Sequence, residues 1–413
     1  MKTVIIGGGI IGLCSAYYLQ KEGHDITVID SGEITEGCSF GNMGFISPSH
    51  FAPLASPGII SQGLKWMLSS TSPFYIKPRL NLDLMKWGYH FWKNSTTQTV
   101  EKNSIHLNNI LQLSRQLIDD FRNEIGDDFE METKGCLMMC KQKNTLDHEF
   151  ELADQAEKFG LKVERLYRDD VQKLETEVEI DVAGAVLFKD DCHLNPGKMM
   201  ASLKIYLQNK GIHFQLNTLV QDFEKNADGI TAVITNKGKF DCKEIVLSPG
   251  SWLPELSKKV GIKLLLQPGK GYSYTYNHVE KNLKYPAILV DGRCAITPWG
   301  QKLRIGGTME LSGINNKVLI SRMQGIYDSA KLFYPGLKID FPPTEKIWNG
   351  LRPVSPDGLP FIERPAGLKN VVIAGGHAML GISMGTGTGK LVSEIIQHKK
   401  NSIDISAFKV NRF

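Results

Sequence analysis

Apolar and polar positions alternate along this chain with two periods, and the first thirty residues show both. Lys2 to Ile6 is a short β-branched apolar run that ends in glycine, which predicts a buried strand. Leu13 to Lys21 has helical character and stops at Gly23, and Ile26 to Ile29 is a second buried strand closed by Asp30. Further on, Ile110, Leu113, Leu117, Ile118 and Phe121 share one side of a helix over Ser104 to Ile125. Gly135 to Lys141 reads as a strand and Leu146 to Phe159 as a helix ended by Gly160. Gly184 to Phe188 predicts a strand, followed by a helix with Asn195 as N-cap, Pro196 at its first position and its end near Asn209. Ile212 to Leu216 and the alternating runs to Val246 predict a strand and hairpin, with turns at Asp228-Gly229 and Lys237-Gly238. Glu244 to Leu247 is a buried strand running into Ser248-Pro249-Gly250. Residues 263–308 are strand-rich, Ser321 to Phe333 is helical, and Val371 to Ala374 is a last strand. Glycines at 375, 376, 381, 385, 387 and 389 follow it and are expected to open a helix from Lys390 to Gln397.

The loop between the first strand and helix carries the chemistry. Gly7, Gly9 and Gly12 form G-x-G-x-x-G, and Asp30 ends the second strand eighteen residues after Gly12. The first glycine makes the tight turn, the second admits a pyrophosphate and the third lets helix and strand pack closely. Asp30 would accept hydrogen bonds from a ribose hydroxyl and repel a 2′-phosphate. Strand, loop, helix, strand and acid in register predict a bound dinucleotide. The strand–small-residue–helix passage at Ser248 to Trp252 is a second such point, as expected of a nucleotide domain built from separated segments.

Composition narrows the class without choosing the reaction. The 413 residues are enough for about two domains, and 42% hydrophobic with 22% charged residues is ordinary for a globular chain. A net charge of +4 is too small to imply nucleic acid as a partner, and no apolar stretch is long enough to span a membrane. The N-terminal apolar run is a strand interrupted by glycines, so no export signal is expected. Seven scattered cysteines without C-x-x-C suit reduced thiols in a cytoplasmic setting, and no metal cluster is visible. Cys136 and Cys140 lie on one face of a strand and are read as packing.

Three stretches carry a bland reading beside a functional one. Residues 31–49 (SGEITEGCSFGNMGFISPS) are either a surface loop or, leaving a strand's carboxyl end, the cradle of a flat ring. Residues 59–93 interleave Trp66, Phe74, Tyr75, Trp87, Tyr89, Phe91 and Trp92 with lysine and arginine. They suit an amphipathic helix pair or a helix on a membrane surface. The glycines after Val371 to Ala374 open a helix whose N–H groups would stabilise negative charge on a reduced flavin, which favours FAD over NAD.

Together these motifs place the chain: it resembles the D-amino-acid oxidase superfamily of FAD enzymes, nearest the bacterial D-amino-acid dehydrogenase branch. The likeness rests on GGGIIG with Asp30, SFGNMGFISPSH, LSPGSW, PGKGYS, RIGGTMEL, GLRPVSPDGLP and GGHAMLGISMGTGTGK, spread over nearly the whole chain. It implies an α/β Rossmann-like FAD domain assembled from residues 1–80, 185–260 and 342–413. A second, α+β substrate domain with a mixed or antiparallel sheet would come from residues 81–184 and 261–341. For the cofactor it implies Gly7, Gly9, Ile10, Ile11 and Gly12 at the pyrophosphate, and Asp30 with Ser31 at the ribose. Ser39, Asn42, Met43 and Gly44 would lie beside the ring, Val220 and Gly250 along the nucleotide, and Gly376, Gly381, Ile382, Ser383, Gly385 and Thr386 over the pyrimidine end. Arg352 in GLRP would grip a substrate carboxylate.

Tyr272, which alternates with Tyr274, could present a phenol to the substrate or pack in a strand. His50 and His377 could touch the substrate or serve structure. The expected reaction is oxidation of a D-amino acid, or of a cyclic imino acid such as hydroxy-D-proline, with electrons passed to a quinone or respiratory-chain acceptor. Without a cysteine in the closing loop the FAD is expected to be non-covalent. Two alternatives stay open: a glycine- or sarcosine-type flavin oxidase using oxygen, and a flavin-binding assembly subunit without turnover. The expected location is cytoplasmic, at the inner face of a membrane if residues 59–93 make peripheral contact.

Overall fold

The computed structural model describes residues 1–413 except 68 and 228, and the backbone alone at 64. Asp228, expected in a turn, lies outside the described residues. Among the described residues two large sheets organise the chain. The first has six strands in the order Phe361–Glu363, Val371–Gly375, Glu244–Leu247, Lys2–Ile6, Asp25–Ile29 and His213–Gln215. All its neighbours run parallel except the first pair. Chain order reverses beside Lys2–Ile6, between Asp25–Ile29 and Glu244–Leu247, so Gly7 leaves the sheet at a topological switch point, where open α/β sheets bind ligands.

The helix Ile10–Lys21 and the helix Gly381–Ile396 cover this sheet against each other. Here an expectation is corrected. The C-terminal helix starts at Gly381 and not at Lys390, so Gly385, Gly387 and Gly389 lie within it. They are small because neighbouring helices come close. A Cβ on Gly389 would stand 2.5 Å from the backbone carbonyl of Cys14, and one on Gly387 would stand 2.5 Å from Ser114 Oγ. Ser114 belongs to the long helix Thr97–Ile125, which packs on the other side of Gly381–Ile396.

The second sheet has nine strands. Trp348–Val354, Gln267–Tyr276, Lys302–Leu311, Cys294–Trp299, Ala287–Leu289, Cys136–Cys140, Gly184–Phe188 and Val163–Tyr167 follow one another, and Phe74–Ile76 pairs beside Lys302–Leu311. It is largely antiparallel, and one face is buried under the helix Ile320–Phe333 with Tyr272, Ile296, Ile305, Met323 and Phe333 in the core. Trp348–Val354 and Phe74–Ile76, expected with the nucleotide domain, belong to this sheet; the first pairs with Gln267–Ser273 along its whole length. The helix Thr97–Ile125, expected with the substrate domain, lies on the nucleotide side. No helix among the described residues is long and apolar enough to cross a membrane.

Candidate active site

The glycine loop shows why each glycine is there. Gly7 has φ +104° and a Cβ on it would overlap the Ser248 carbonyl, while a Cβ on Gly12 would overlap the Gly7 carbonyl oxygen. Gly9 is the N-cap of Ile10–Lys21, which has no side-chain cap from that residue and no acid in its first turn. Ser39, from the loop after the second strand, meets this helix start: its Oγ accepts from the Ile10 N–H at 3.0 Å. The Asp30 carboxylate accepts from the N–H groups of Gly8 at 2.7 Å and Gly32 at 2.9 Å. Ser31 lies beside it, and Thr218 N donates to the Asp30 carbonyl at 2.8 Å, which brings Val220 alongside.

The segment Phe40–Gly44 bridges the two sheets. Asn42 Oδ1 accepts from Gly44 N at 2.8 Å and Asn42 Nδ2 donates to the Met379 carbonyl at 3.1 Å. Thr297 Oγ1 donates to the Met43 carbonyl at 2.9 Å, and Gly44 has φ +83° with its Cα against Leu194. Ser383 Oγ donates to the Phe45 carbonyl at 2.7 Å, so the segment Phe40–Phe45 and the start of the C-terminal helix form one surface. That helix also begins with neither a side-chain cap nor an acid in its first turn. Two such helix starts and a glycine cradle suit an anionic dinucleotide. The residues present therefore fit FAD. Gly250 (φ +59°) and Gly376 (φ +82°) stand at the ends of the strands Glu244–Leu247 and Val371–Gly375, as expected of loops at this edge.

Not every residue assigned to the cofactor has a free side chain. Ile10 and Ile382 pack in the core, Ile11 is buried beside them, and Gly385 lies against Ile10. The Thr386 hydroxyl donates to the Ser114 carbonyl at 3.1 Å. These positions hold the two helices together.

Arg352 lies on the nine-stranded sheet, half-buried, opposite Gly269. Its guanidinium covers Gly271, where a Cβ would overlap it, and Nη1 donates to the Thr308 carbonyl. Thr308 itself has φ +67°, a strained value for a β-branched residue. Among the described residues Arg352 meets no carboxylate, and its Nε and Nη2 make no hydrogen bond. Burial pulls its pKa down, with only the Cys38 thiol opposing.

Tyr272 is not brought to this site. It is 0% exposed, and its hydroxyl donates to Glu310 Oε2 at 2.5 Å, beside the wholly buried Lys270. The physical reason is parity. Gly269, Gly271 and Ser273 pair with Arg352, Gly350 and Trp348 and share their face, whereas Tyr272 pairs with Asn349 and points the other way. His50 contacts Ser49 Oγ at 3.1 Å, and burial pushes its pKa down to about 4; no hydrogen bond links it to Arg352. His377 is taken by Thr388 Oγ1 at 2.9 Å and its pKa falls to about 3. Both are neutral at pH 7.

The same parity identifies residues that sequence reasoning missed. Ser273, Thr275, Arg304, Gly306 and Trp348 share the face of Arg352. Arg304 Nη1 donates to the carbonyls of Phe40 at 3.1 Å and Asn42 at 2.5 Å, holding that segment to the sheet. The alternating small residues of Gly-Lys-Gly-Tyr-Ser were the available signal, since small side chains on one face leave room above it.

Comparison with known proteins agrees with this geometry. A family model described as FAD dependent oxidoreductase matches residues 2–395. D-amino acid dehydrogenase of Bradyrhizobium diazoefficiens is 31% identical over 424 aligned positions covering 100% of this chain and 99% of the relative. D-amino acid dehydrogenase of Helicobacter pylori is also 31% identical, covering 98% of each chain. Among solved structures, glycine oxidase from Geobacillus kaustophilus superposes with a TM-score of 0.79 at 21% identity, covering 100% of this chain and 98% of that one. L-proline dehydrogenase from P. horikoshii does so with 0.78 at 18%, covering 100% and 97%. These two establish the shared fold.

Proposed function

The chain belongs to the FAD dependent oxidoreductase family, and from that premise we propose that it dehydrogenates D-amino acids or cyclic imino acids such as hydroxy-D-proline. The observation that carries this reading is Arg352, a cation on the substrate sheet with a free Nε–Nη2 edge and no carboxylate partner among the described residues. Full-length relatives named D-amino acid dehydrogenase support it.

In this reading Gly7, Gly9, Gly12 and Ser39 would hold the FAD pyrophosphate and Asp30 the adenosine ribose. The segment Asn42–Gly44 and the helix start at Gly381–Ser383 would hold the ring. When bound, FAD supplies the acceptor for the hydride that leaves the substrate's α-carbon.

The chain's own residues bind and orient. A substrate carboxylate meets the Nε–Nη2 edge of Arg352 in a fork, since Nη1 is already committed to Thr308. Gly271 leaves the space in which the guanidinium lies, and Arg304 ties Phe40 and Asn42 to the same sheet face. Positioning of this kind contributes much of the rate. With a pKa near 4, His50 is a neutral imidazole at neutral pH, with one N–H donor and one acceptor nitrogen, and is too weak a base to hold a proton taken from a substrate ammonium. The substrate amine therefore has to arrive neutral.

The electrons are assigned to a quinone-type acceptor, and the helix Leu82–Asn94 to contact with the inner face of a membrane. The test is a panel of D- and L-amino acids and cyclic imino acids, each with a quinone-like dye and with oxygen. D-selective turnover that is faster with the dye is expected. L-selectivity overturns the substrate assignment, and undiminished turnover with stoichiometric peroxide in air overturns the acceptor.

A further inference from the structure

The sheet face that carries Arg352 continues along the same strand to a cavity beside Trp348. This space, about 260 Å³, is walled by Phe40, Ser273, Tyr274, Arg304, Lys346 and Trp348. Arg352 does not line it.

Arg304 is only 8% exposed, yet among the described residues no carboxylate pairs with it. Its Nε donates to Thr275 Oγ1 at 2.8 Å and its Nη1 to the Phe40 and Asn42 carbonyls. Among the described residues Nη2 makes no hydrogen bond. Burial draws the pKa down to about 10 with no acid opposing, so the group is still charged at neutral pH. A buried cation that faces only neutral acceptors favours an incoming oxygen with negative or partial negative charge. Lys346, exposed at the mouth, adds a second positive group, and no acidic side chain lines the space.

The walls suit a flat ring. Trp348 is clamped, because a Cβ on either Gly41 or Gly350 would overlap its indole, and Nε1 donates to the Glu36 carbonyl at 3.3 Å. Ser273 and Thr275 present hydroxyls on the same face, while the Tyr274 ring packs with Tyr276 on the opposite, core face. A rigid indole and a guanidinium around one space can stack a planar molecule and hold its oxygen.

We propose that this cavity is a second small-molecule site, which takes a planar ring bearing carbonyl or carboxylate oxygen. Assigning that ring to the head group of the quinone acceptor rests on the reading above.

Calorimetric titration of the flavin-loaded enzyme, without amino acid, tests the site. The probes are 2,3-dimethoxy-5-methyl-1,4-benzoquinone and benzoate. Saturable binding is expected, weakened roughly tenfold in Trp348→Ala and measurably in Lys346→Glu, but retained in Arg352→Ala. Binding of the quinone identifies the acceptor as the occupant; binding of benzoate alone keeps the site and assigns it to a carboxylate. Three outcomes overturn the proposal: neither probe binds, binding disappears in Arg352→Ala, or both cavity variants lose FAD. In the last case the cavity is part of the cofactor site. If turnover runs on oxygen alone while benzoate still binds through Trp348, the acceptor assignment fails and the site stands.

Discussion

Arg352 and Gly271 share a space that only a glycine leaves open: a Cβ on Gly271 would overlap the Arg352 guanidinium. The atoms in the way are the far end of a flexible side chain, so Gly271→Ala should move the guanidinium and not the sheet. It is expected to lower kcat/KM on the best amino acid by roughly tenfold or more, about 1.4 kcal/mol, with FAD content and melting temperature close to wild type. Arg352→Ala removes the carboxylate contact itself and should cost about 2–5 kcal/mol. Arg352→Lys should not restore it, because an ammonium cannot form the fork. Wild-type kcat/KM in Arg352→Ala would sink the carboxylate-anchor role, and loss of flavin would make the residue structural.

Tyr272 shows where sequence reading stopped. The strand around it was legible from alternation and its glycines, and Gly-Leu-Arg-Pro singled out Arg352, which the structure leaves without a carboxylate partner among the described residues. Which face each residue takes depends on pairing between residues 267–276 and 348–354, partners about eighty positions apart. Alternation has a period of two and carries no label for inside and outside. The nucleotide half was easier, because strand, glycine loop, helix and acid are contiguous from Lys2 to Asp30 and each step has a local cause. The glycines after Gly381 were visible but misplaced as a loop, since helix-to-helix spacing is a tertiary cause that overrides low helix propensity. Arg304 was invisible for a similar reason: its partners are backbone carbonyls at Phe40 and Asn42, far along the chain.

Acid precipitation should release the flavin into the supernatant as FAD. Residues 376–390 contain no cysteine, and every cysteine except Cys38 is buried. Yellow colour that stays with the denatured chain would show a covalent bond and defeat this expectation.

Gly389→Ala sets two opposing effects against each other. Alanine in a helix interior gains about 1 kcal/mol over glycine. Here the added methyl would stand 2.5 Å from the backbone carbonyl of Cys14, which cannot rotate aside. Overpacking costs typically 1–3 kcal/mol, so the clash should win. Chemical denaturation is expected to show net destabilisation together with weaker FAD retention, because the starts of the same two helices are proposed to hold FAD. A variant more stable than wild type would mean that the helices separate freely.

Asp191 should make stability depend on pH. It is buried, accepting from Ser49 N at 3.1 Å and Ser49 Oγ at 2.6 Å, and burial raises its pKa from 3.8 to about 7. The folded carboxyl thus keeps its proton up to about pH 7, whereas the unfolded one loses it near 3.8. Between those values each rise in pH favours the unfolded chain. Asp191→Asn removes that dependence. Relative to wild type it should gain stability progressively from pH 4 to pH 7, by an amount on the order of a few kcal/mol. Urea titrations of both proteins across this range would show a constant difference if the carboxyl titrates normally.

The helix Leu82–Asn94 is apolar on two sides. Trp87 is buried, donates from Nε1 to the Val354 carbonyl at 2.9 Å and stacks on Phe91 with centroids 4.9 Å apart, which fixes the inner face. Leu82, Met85, Tyr89 and Trp92 recur at helical spacing on the outer face and are all exposed. Lys86 and Lys93 flank them, and Lys77 and Arg79 precede the helix. A merely amphipathic packing helix would carry polar residues there, whereas this mixture suits the headgroup layer of an anionic membrane. We therefore expect sedimentation with phosphatidylglycerol-containing vesicles that weakens at high salt, as screening of the lysines requires. Met85→Asp with Trp92→Asp should abolish it while leaving turnover with a soluble dye unchanged, because neither residue reaches Arg352 or the glycine loop. If the double variant still sediments, the vesicles are held elsewhere; if dye turnover falls as well, the outer face supports the fold and not a membrane.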